Sequence, residues 1–511
     1  MPQGKAPYLG LRLTSDRGAA RKPMRTSLHA LRVACAALAV LSTALLAACA
    51  TSPATGERIF TGGMSESQES QIGAEQHPLI LQEFGGAYQD AELQSYVSSV
   101  GDLLAKTSER PDLKFTFTVL DSPIVNAFAL PGGYVYITRG LLALANDEAE
   151  MAGVLAHEIG HVTARHAAQR QGATLGAGIV QMGLGLLLGG NAAQLGGSLA
   201  QPLLQSYSRE QEFEADMLGV RYLRRAGYDS RAMSDFLVSM EEEERLRAQL
   251  AGNPEAADQF NIMSSHPRTA DRVEAAAEEA GTAQPKDPIE GREIYLSKID
   301  GIIYGDSPAQ GYARGRVFSH PELRFRFEVP QGFRLTNLPS QVVATNQQGD
   351  SQISFDMDKV PSGASLESYL INGWGQGMNL RNGQRFTVNG RQAVTATTRG
   401  TISSGQSVDL RLVAFRADGD QVYRFAFITP AGSSGRIWEQ TIDSFRTLSA
   451  AEASALKPYR LDVYTVRRGD TVASLARRLP FDDLPEERLR VINGIEPGQP
   501  LPTGMEIKLI K

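Results

Sequence analysis

Two histidines and one glutamate stand at a spacing that can hold a metal ion. His157 and His161 are four residues apart, and Glu158 directly follows the first of them. On an α-helix, residues four apart lie about 40° apart around the axis and about 6 Å along it, so both imidazoles can reach one ion. Glu158 is rotated by about 100° from His157, which places its carboxylate where it can take a proton from a metal-bound water. The pattern predicts a hydrolytic zinc site with one Zn²⁺ per chain.

The residues around this motif are apolar. Val154, Ile159 and Val162 flank the two histidines, which predicts a buried helix. A chance pairing of histidine and glutamate on a solvated surface is the simpler alternative. Burial of histidine and glutamate without a partner is costly, so a bound ion explains the segment better.

Cysteine and histidine are scarce in the rest of the chain. Its 511 residues contain two cysteines, Cys35 and Cys49, so a disulfide or a thiolate metal site beyond residue 49 is excluded. Only seven histidines occur, and three of them fall within residues 157–166. The net charge of -6 and the lack of a basic stripe argue against a nucleic-acid partner. A chain of this length predicts roughly two to four domains.

The first fifty residues predict an export signal and a lipid anchor. Basic residues precede an apolar run that ends near Leu41, as in a secretory signal peptide. The segment Leu46-Ala47-Ala48-Cys49 resembles a bacterial lipobox, which implies that residues 1–48 are removed and that Cys49 is acylated. A plain signal peptide or an N-terminal anchor helix is the alternative. We expect a flexible tether over residues 49–63 and a location on the periplasmic face of the outer membrane.

Hydrophobic periodicity predicts the elements that position the motif, within one domain over residues 64–284. Residues 64–108 show helical spacing, and Asn146 can cap a helix that runs to about Gln169. The apolar, glycine-rich residues 172–200 predict a hairpin that packs over the site or touches a membrane surface, in preference to a membrane span. Segments typical of strands lie between the two helices, at 115–120, 125–130 and 134–138.

Two further units follow in the sequence. Residues 285–455 alternate apolar and polar residues, with turns such as Asn389-Gly390, and predict a β-rich α+β accessory domain. This segment weakly resembles the small modules related to photosystem PsbP and Mog proteins. Residues 462–511 resemble a LysM module, which implies a βααβ fold that binds peptidoglycan. A degenerate module that only packs against its neighbours is the alternative. The whole chain is expected to belong to the α+β class.

A second motif lies downstream of the histidines, in the segment Ser208-Arg209-Glu210-Gln211-Glu212-Phe213-Glu214-Ala215-Asp216. A hydrolytic zinc site needs a third protein ligand, and Glu210, Glu212 and Glu214 all qualify on the sequence alone. The two motifs together resemble metallopeptidase family 48, the gluzincins that include the CAAX prenyl, HtpX and BepA proteases. The resemblance implies that Glu212 is the third ligand and that Asp216 orients a ligand histidine.

A third motif matches the same family at the side of the cleft. Residues 125–133 resemble its strand and turn beside the active site. The resemblance implies that Asn126, Ala127 and Phe128 bind a substrate backbone by adding a strand to the sheet, which tolerates many sequences. An ordinary core hairpin is the alternative, and it is compatible with the same role.

A fourth motif, Ser265-His266-Pro267 followed by Arg272, resembles a late motif of the periplasmic members of the family. It implies that Arg272 supports the ligands and that His266 approaches the zinc. There His266 either stabilises the oxyanion or fills the open position in a latent state. A structural histidine is the alternative. His166 lies about 140° around the helix from His161, so we expect it to be structural.

These features together predict a zinc-dependent endopeptidase of the bacterial cell envelope. Its expected substrates are unfolded or misassembled envelope proteins, with membrane attachment through the lipid and peptidoglycan contact through the LysM-like tail. An assembly factor or chaperone with a latent or structural zinc site is the first alternative, although a structural site gains nothing from a base such as Glu158. A peptidoglycan hydrolase is the second alternative, prompted by the tail.

Overall fold

The computed structural model describes residues 49–174, 207–251, 270–282, 284–402, 405–433 and 436–511. Its elements are helices around small sheets, followed by a β-rich region, so the predicted α+β class is confirmed. Most of the predicted hairpin at 172–200 and the segment Ser265-His266-Pro267 lie outside the described residues.

The described chain begins with an ordered hairpin where we expected a flexible tether. Strand β1 (Cys49–Thr51) pairs with β2 (Arg58–Phe60) in an antiparallel register. The hairpin packs against the helical residues 166–174, since a methyl group on Gly172 would lie 2.7 Å from the carbonyl oxygen of Phe60. Thus Cys49 is held against the domain that carries the histidines.

The predicted helix over 64–108 is divided into two helices. Helix α1 (Glu66–Glu83) and helix α2 (Ala91–Thr107) are separated by a turn in which Gly85 and Gly86 both have positive φ. Glycine adopts that conformation at little steric cost, so the pair ends the first helix.

A three-stranded sheet follows, with strand order β3-β5-β4. Strand β3 (Thr116–Leu120) is parallel to β5 (Tyr134–Thr138), and β4 (Ala127–Leu130) is antiparallel to β5 at the edge. Helix α3 (Arg139–Leu144) leads from the sheet to helix α4 (Glu148–Thr163), whose residues are almost all buried. The sheet and helix α2 pack around helix α4, which is the central element of this domain.

Helix α4 differs from its prediction at both ends. Its N-cap is Asp147, whose side chain accepts from the N–H of Glu150 at 2.8 Å, and not the expected Asn146. Asn146 lies one residue before the cap, and its N–H donates to the Glu150 carboxylate at 2.8 Å. The helix stops at Thr163, and helix α5 begins at 166 and continues through 174.

Helices from later in the sequence complete the domain around helix α4. They are α6 (Arg209–Ala226), α7 (Ala232–Ala251), α8 (Ala270–Thr282) and α9 (Arg292–Ile299). The side chain of Tyr295 in α9 is fully buried and donates to the carbonyl of Leu142 at 2.6 Å. Helix α9 therefore packs with the first domain, although the sequence analysis placed it in the accessory domain.

The accessory region contains two antiparallel sheets. The larger has strand order β10-β11-β12-β16-β15-β14-β13, and the smaller β17-β9-β8-β7. The smaller sheet consists of β7 (Tyr312–Arg314), β8 (Val317–His320), β9 (Phe325–Glu328) and β17 (Arg446–Thr447). The larger consists of β10 (Phe333–Asn337), β11 (Val342–Asn346), β12 (Gln352–Lys359), β13 (Arg381–Val388), β14 (Arg391–Thr401), β15 (Ser407–Arg416) and β16 (Gln421–Pro430).

Short helices accompany these sheets, and the predicted turn joins two of their strands. Asn389 and Gly390 both have positive φ between β13 and β14, as a two-residue type I′ hairpin requires. The helices are α10 (Leu366–Ser368), which continues as a π-helix over Tyr369–Trp374, α11 (Arg436–Ser444) and α12 (Ala450–Ala455).

The last unit has the predicted βααβ order. Its elements are β18 (Tyr459–Thr465), α13 (Val472–Ala476), α14 (Pro485–Asn493) and β19 (Glu506–Ile510). Strand β18 lies between β19 and a short strand β6 (Ile303–Tyr304), which comes from the segment after helix α9. The unit is therefore tied to the first domain through its sheet.

One hydrophobic core joins the first domain to this last unit. Buried residues of helices α2, α4 and α6 belong to the same cluster as Leu489, Ile507 and Leu509. The accessory sheets have separate cores, one of them rich in phenylalanine. The accessory region is thus inserted between two parts of a single packed body. Among the helices that the structure describes, none has both the length and the apolar character needed to cross a bilayer.

Candidate metal centre

Helix α4 holds the two histidines of the first motif inside the protein. His157 and His161 are 6% and 2% exposed, and their Nε2 atoms lie 3.0 Å apart, one helical turn from each other. Glu158 is fully buried on the same helix. The apolar neighbours seen in the sequence pack into the core, and this packing fixes the face of the helix on which both imidazoles lie.

Helix α6 brings Glu212 to these histidines. The helix begins with a capping box in which Ser208 and Gln211 bond reciprocally, so the first turn is fixed. The Glu212 carboxylate is 1% exposed, with Oε2 3.6 Å from His157 Nε2 and Oε1 3.5 Å from His161 Nε2. The structure therefore brings together His157, His161 and Glu212, the three ligands that the sequence analysis proposed.

The spacing of these three donor atoms fits a small divalent cation. Ligand atoms placed about 2.0–2.1 Å from a tetrahedral zinc ion lie about 3.3 Å from each other. The separations between His157, His161 and Glu212 are 3.0, 3.5 and 3.6 Å. Two imidazole nitrogens and one carboxylate oxygen are also a common donor set of hydrolytic zinc sites, which keep a fourth position open.

A carboxylate and an arginine stand behind His157. Asp216, one turn after Glu212 on helix α6, has Oδ1 2.9 Å from His157 Nδ1. Arg272 of helix α8 donates to both Asp216 oxygens, at 2.7 and 2.8 Å, and lies 2.8 Å from Glu212. Burial opposes ionisation of Asp216, but hydrogen bonds from Arg272 and His157 outweigh it and hold the pKa of Asp216 below its usual value. A charged Asp216 keeps His157 oriented with Nε2 toward Glu212.

The remaining glutamates of the second motif take different positions. Glu210 is exposed at the start of helix α6, away from the histidines. The Glu214 carboxylate lies 3.2 Å from Nε2 of His166, whose Nδ1 is 2.7 Å from Nδ1 of His161. His166 was expected to be structural because a continuous helix would place it about 140° around the axis from His161. The helix ends at Thr163, so this projection does not apply.

Tyr207 is a residue of this site that the sequence analysis missed. Its ring stacks on His161 with centroids 4.0 Å apart and planes 17° apart. The Arg170 guanidinium carbon lies 4.4 Å from the same tyrosine ring. Burial of its hydroxyl raises the pKa of Tyr207 to about 12. The available signal was an aromatic residue directly before the capping Ser208.

The predicted substrate strand borders this site. Ala127 and Phe128 are buried in β4, and Asn126 precedes it, with a carbonyl that accepts from Thr138 N–H at 3.0 Å. Among the described strands, β4 pairs only with β5, so its other edge has no strand partner there. The end of β4 and the following turn line a cleft together with His161 and Tyr207.

Comparison with known protein families agrees with two of the resemblances. Residues 91–280 match the model of peptidase family M48, and residues 464–509 match the LysM domain. The first match contains both motifs of the metal centre, and the second covers the βααβ unit. Both expected families are thereby confirmed for these segments.

Curated relatives match the same part of the chain. A putative beta-barrel assembly-enhancing protease of Vibrio cholerae is 33% identical over 208 residues, which cover 38% of this chain and 41% of that protein. The beta-barrel assembly-enhancing protease of Escherichia coli is 30% identical over 246 residues, 46% of this chain and 48% of that one. The mitochondrial metalloendopeptidase OMA1 of Schizosaccharomyces pombe is 28% identical, over 46% of this chain and 67% of that protein. The chain thus spans less than half the length of these two bacterial relatives.

A solved structure of cyanobacterial PsbP from Synechocystis is also similar, at 15% identity over 28% of this chain and 98% of that one. Its TM-score is 0.21, which carries no argument, so the PsbP-like architecture of the accessory domain stays a prediction. The family matches and the curated relatives agree on the segment that holds the histidines. The chain therefore carries a metallopeptidase domain of family M48 and, behind it in sequence, a LysM domain.

Proposed function

We propose that this protein is a zinc-dependent endopeptidase of the bacterial cell envelope. His157, His161 and Glu212 hold one Zn²⁺, and Glu158 is the general base. The observation that carries the proposal is the convergence of three buried donor atoms, 3.0 to 3.6 Å apart, beside a buried glutamate on the same helix. Neutral imidazoles leave the ion most of its charge, as a hydrolytic site needs.

The residues around the ion have separate roles in hydrolysis. Zinc, when bound, supplies a Lewis acid that polarises the scissile carbonyl and acidifies water. Glu158 accepts the proton of the attacking water on a carboxylate oxygen and delivers it to the leaving amine, so no covalent intermediate forms. Asp216 and Arg272 hold His157 and Glu212 in place through the contacts described above.

His266 is proposed as a further residue of this site. It lies in the segment between the described helices α7 and α8, six residues before Arg272. In the proposal it stabilises the oxyanion or fills the fourth position of the metal in a resting state. A His266→Ala variant with higher basal cleavage than the wild type would indicate the resting role, and one with lower cleavage the oxyanion role.

The proposed substrates are unfolded or misassembled envelope proteins. Strand β4 has a free edge in the described sheet, so an extended polypeptide can add to it through main-chain hydrogen bonds near His161. Such recognition requires a locally unfolded substrate and tolerates many sequences. The names of the two bacterial relatives, which refer to β-barrel assembly, support this class of substrate.

The proposed location is the periplasmic face of the outer membrane, with acylated Cys49 as the anchor and peptidoglycan as a partner of the LysM domain. The lipobox-like sequence before Cys49 supports the anchor, and the family match supports glycan binding. Metabolic labelling with a radioactive fatty acid tests the anchor. We expect label in the wild type and none in a Cys49→Ser variant.

The deciding experiment measures metal content and casein cleavage of the purified protein. We expect one zinc per chain in the wild type and in Glu158→Gln, with cleavage by that variant reduced by about 10²–10⁴-fold because the base is lost. Equal cleavage by both proteins would reject the protease and favour a chaperone with a structural ion. Release of muropeptides from peptidoglycan, which we expect to be absent, would favour a glycan hydrolase.

A further inference from the structure

A second chain of hydrogen bonds stands behind the other histidine of the metal centre. His161 Nδ1 lies 2.7 Å from His166 Nδ1, and His166 Nε2 lies 3.2 Å from a Glu214 oxygen. His166 is fully buried, whereas the Glu214 side chain is 29% exposed. Within the described part of the chain, His161 Nδ1 thus faces an imidazole that in turn contacts a carboxylate, whereas His157 Nδ1 faces the Asp216 carboxylate directly.

A sharp break after helix α4 creates this arrangement. Arg165 has φ of 60°, a left-handed conformation that costs a residue other than glycine about 1–2 kcal/mol. The buried ion pair of Arg165 with Glu69, at 3.1 Å, and its hydrogen bond to the carbonyl of Met64 hold it there. The chain turns at this residue and helix α5 begins with His166 beside His161. Backbone strain is thus located where it brings the two rings together.

The contacts determine which nitrogen carries each proton. A neutral imidazole has one N–H and one acceptor nitrogen. If His161 offers the lone pair of Nε2 to a cation, its proton is on Nδ1 and is donated to His166 Nδ1. The proton of His166 is then on Nε2, which donates to Glu214. In this arrangement each of the two N–H groups has an acceptor. The hydrogen bonds are donated in one direction, from His161 through His166 to the Glu214 carboxylate.

We propose that His166 is a positioning residue of the metal centre, which fixes the tautomer and the orientation of His161, and that Glu214 acts through His166. The inference rests on the proposed function, since it requires that the site binds zinc. Partners behind a ligand histidine typically change metal affinity by about 10–100-fold when they are removed.

The surroundings of His166 favour the neutral ring that this role requires. The ring is fully buried, and its two nitrogens contact His161 Nδ1 and a Glu214 oxygen. A cationic imidazole would have to donate from both nitrogens, and Nδ1 would then face the Nδ1–H of His161. The neutral ring avoids this conflict.

The test compares zinc dissociation constants of the full protein, measured by competition with a chromophoric chelator, and the visible spectra of the Co²⁺ form. His166→Phe keeps an aromatic ring but has no acceptor for His161 Nδ1–H. We expect about 10–100-fold weaker zinc binding and an altered Co²⁺ spectrum. His166→Asn places an amide oxygen where Nδ1 was, and we expect its zinc binding to be within about threefold of the wild type.

Two matched controls separate positioning from stability. His320→Phe removes another buried histidine, in strand β8 of the accessory region, and is expected to change the melting temperature without changing zinc affinity. Glu214→Gln is compared with Glu210→Gln, an exposed glutamate on the same helix. We expect weaker zinc binding only for Glu214→Gln, and no additional loss when Glu214→Gln is combined with His166→Phe, because Glu214 acts through that ring.

The inference is overturned if His166→Phe binds zinc within about threefold of the wild type with the same Co²⁺ spectrum. It is also overturned if the asparagine variant is as weak as the phenylalanine variant, since the hydrogen bond is then irrelevant, or if the wild type binds no zinc. Failure of the proposed function has a different signature, which is normal zinc affinity with cleavage that does not depend on Glu158.

Discussion

The two ends of helix α4 both bury charged groups, and they balance the charge in opposite ways. At the N-terminal end, the buried Glu150 and the partly buried Asp147 lie close enough to Lys508 of the LysM domain to interact with its charge. The Lys508 ammonium donates to the carbonyls of residues 143–145 at 3.0, 3.0 and 2.6 Å. In the C-terminal half, His157, His161 and Glu212 converge on a space between their donor atoms.

The difference teaches how to distinguish a structural polar cluster from a functional one. At the N-terminal end the protein supplies its own cation, and burial raises the pKa of Glu150 and lowers that of Lys508. Arg292 closes the cluster by donating to the carbonyls of Asn146 and Glu506. In the C-terminal half two imidazole nitrogens and a carboxylate oxygen converge on one point, and this donor set is suited to a cation that binds from solution. The predictions below test this distinction.

The largest effect is expected from Lys508→Met, which keeps the length of the side chain and removes its charge. The carbonyls and carboxylates at the start of helix α4 lose their cation, so we expect the free energy of unfolding to fall by about 3–5 kcal/mol in urea titrations. Lys511→Met is the matched control, because Lys511 is 57% exposed in its ion pair with Asp462 and should contribute less than about 1 kcal/mol. Similar losses in both variants would contradict the assigned role of Lys508.

The next effect concerns zinc and the C-terminal half of the helix. Zinc at 100 times its dissociation constant should add about 2.7 kcal/mol to the free energy of unfolding, because the assembled ligands exist only in the folded protein. The same addition should leave a His157→Ala/His161→Ala variant unchanged, which thermal melts can measure. An equal gain in the free energy of unfolding of that variant would show that zinc binds at another site.

A smaller effect is expected from Asp216→Asn. The amide that replaces the Asp216 carboxylate is uncharged, so it accepts a weaker hydrogen bond from His157. We therefore expect about 10–100-fold weaker zinc binding, or about 1.4–2.7 kcal/mol. Asp271→Asn is the control, since Asp271 is 64% exposed at the start of the same helix as Arg272 and pairs with Arg209 on the surface. Equilibrium dialysis compares the two variants, and equal affinities would show that Asp216 does not orient His157.

The smallest effect is a pH dependence confined to the N-terminal end. Burial raises the pKa of Glu150 to about 7, so the folded state binds a proton that the unfolded state releases. The resulting stability is fully present below about pH 4 and is lost as pH rises through the raised pKa. Between pH 7.0 and pH 6.0 we expect the wild type to gain about 1 kcal/mol relative to Glu150→Gln in urea titrations. Parallel pH profiles would contradict the shift.

The sequence predicted those parts of the site that depend on local geometry or on a family motif. The helical spacing of His157 and His161 and the strands around Phe128 could be read directly, and Glu212 came from the resemblance. His166 could not be placed, because the break before it depends on the tertiary pair of Arg165 with Glu69. Such a left-handed residue leaves no local signal when it is not glycine.

The buried position of Lys508 could not be predicted from the sequence either. A lysine between Ile507 and Leu509 in a strand is typical of a solvent-facing position, since alternate residues point to opposite faces. In the structure both faces of β19 are covered, and the Lys508 side chain is fully buried. Only the packing of the LysM domain against the carbonyls of residues 143–145 explains this burial, and those partners are 363 to 365 residues away in sequence.

This separation has a consequence for the biosynthesis of the protein. Residues 143–145 are made early, but the ammonium that compensates their carbonyls is present only when residue 508 has been synthesised. An incomplete chain that lacks residue 508 therefore contains the complete histidine motif in a domain whose core is not yet closed. Domains otherwise fold one after another as the chain is synthesised. The domain that carries the histidines is therefore completed only after the LysM domain has been made, because Lys508 and strand β19 close the surroundings of helix α4.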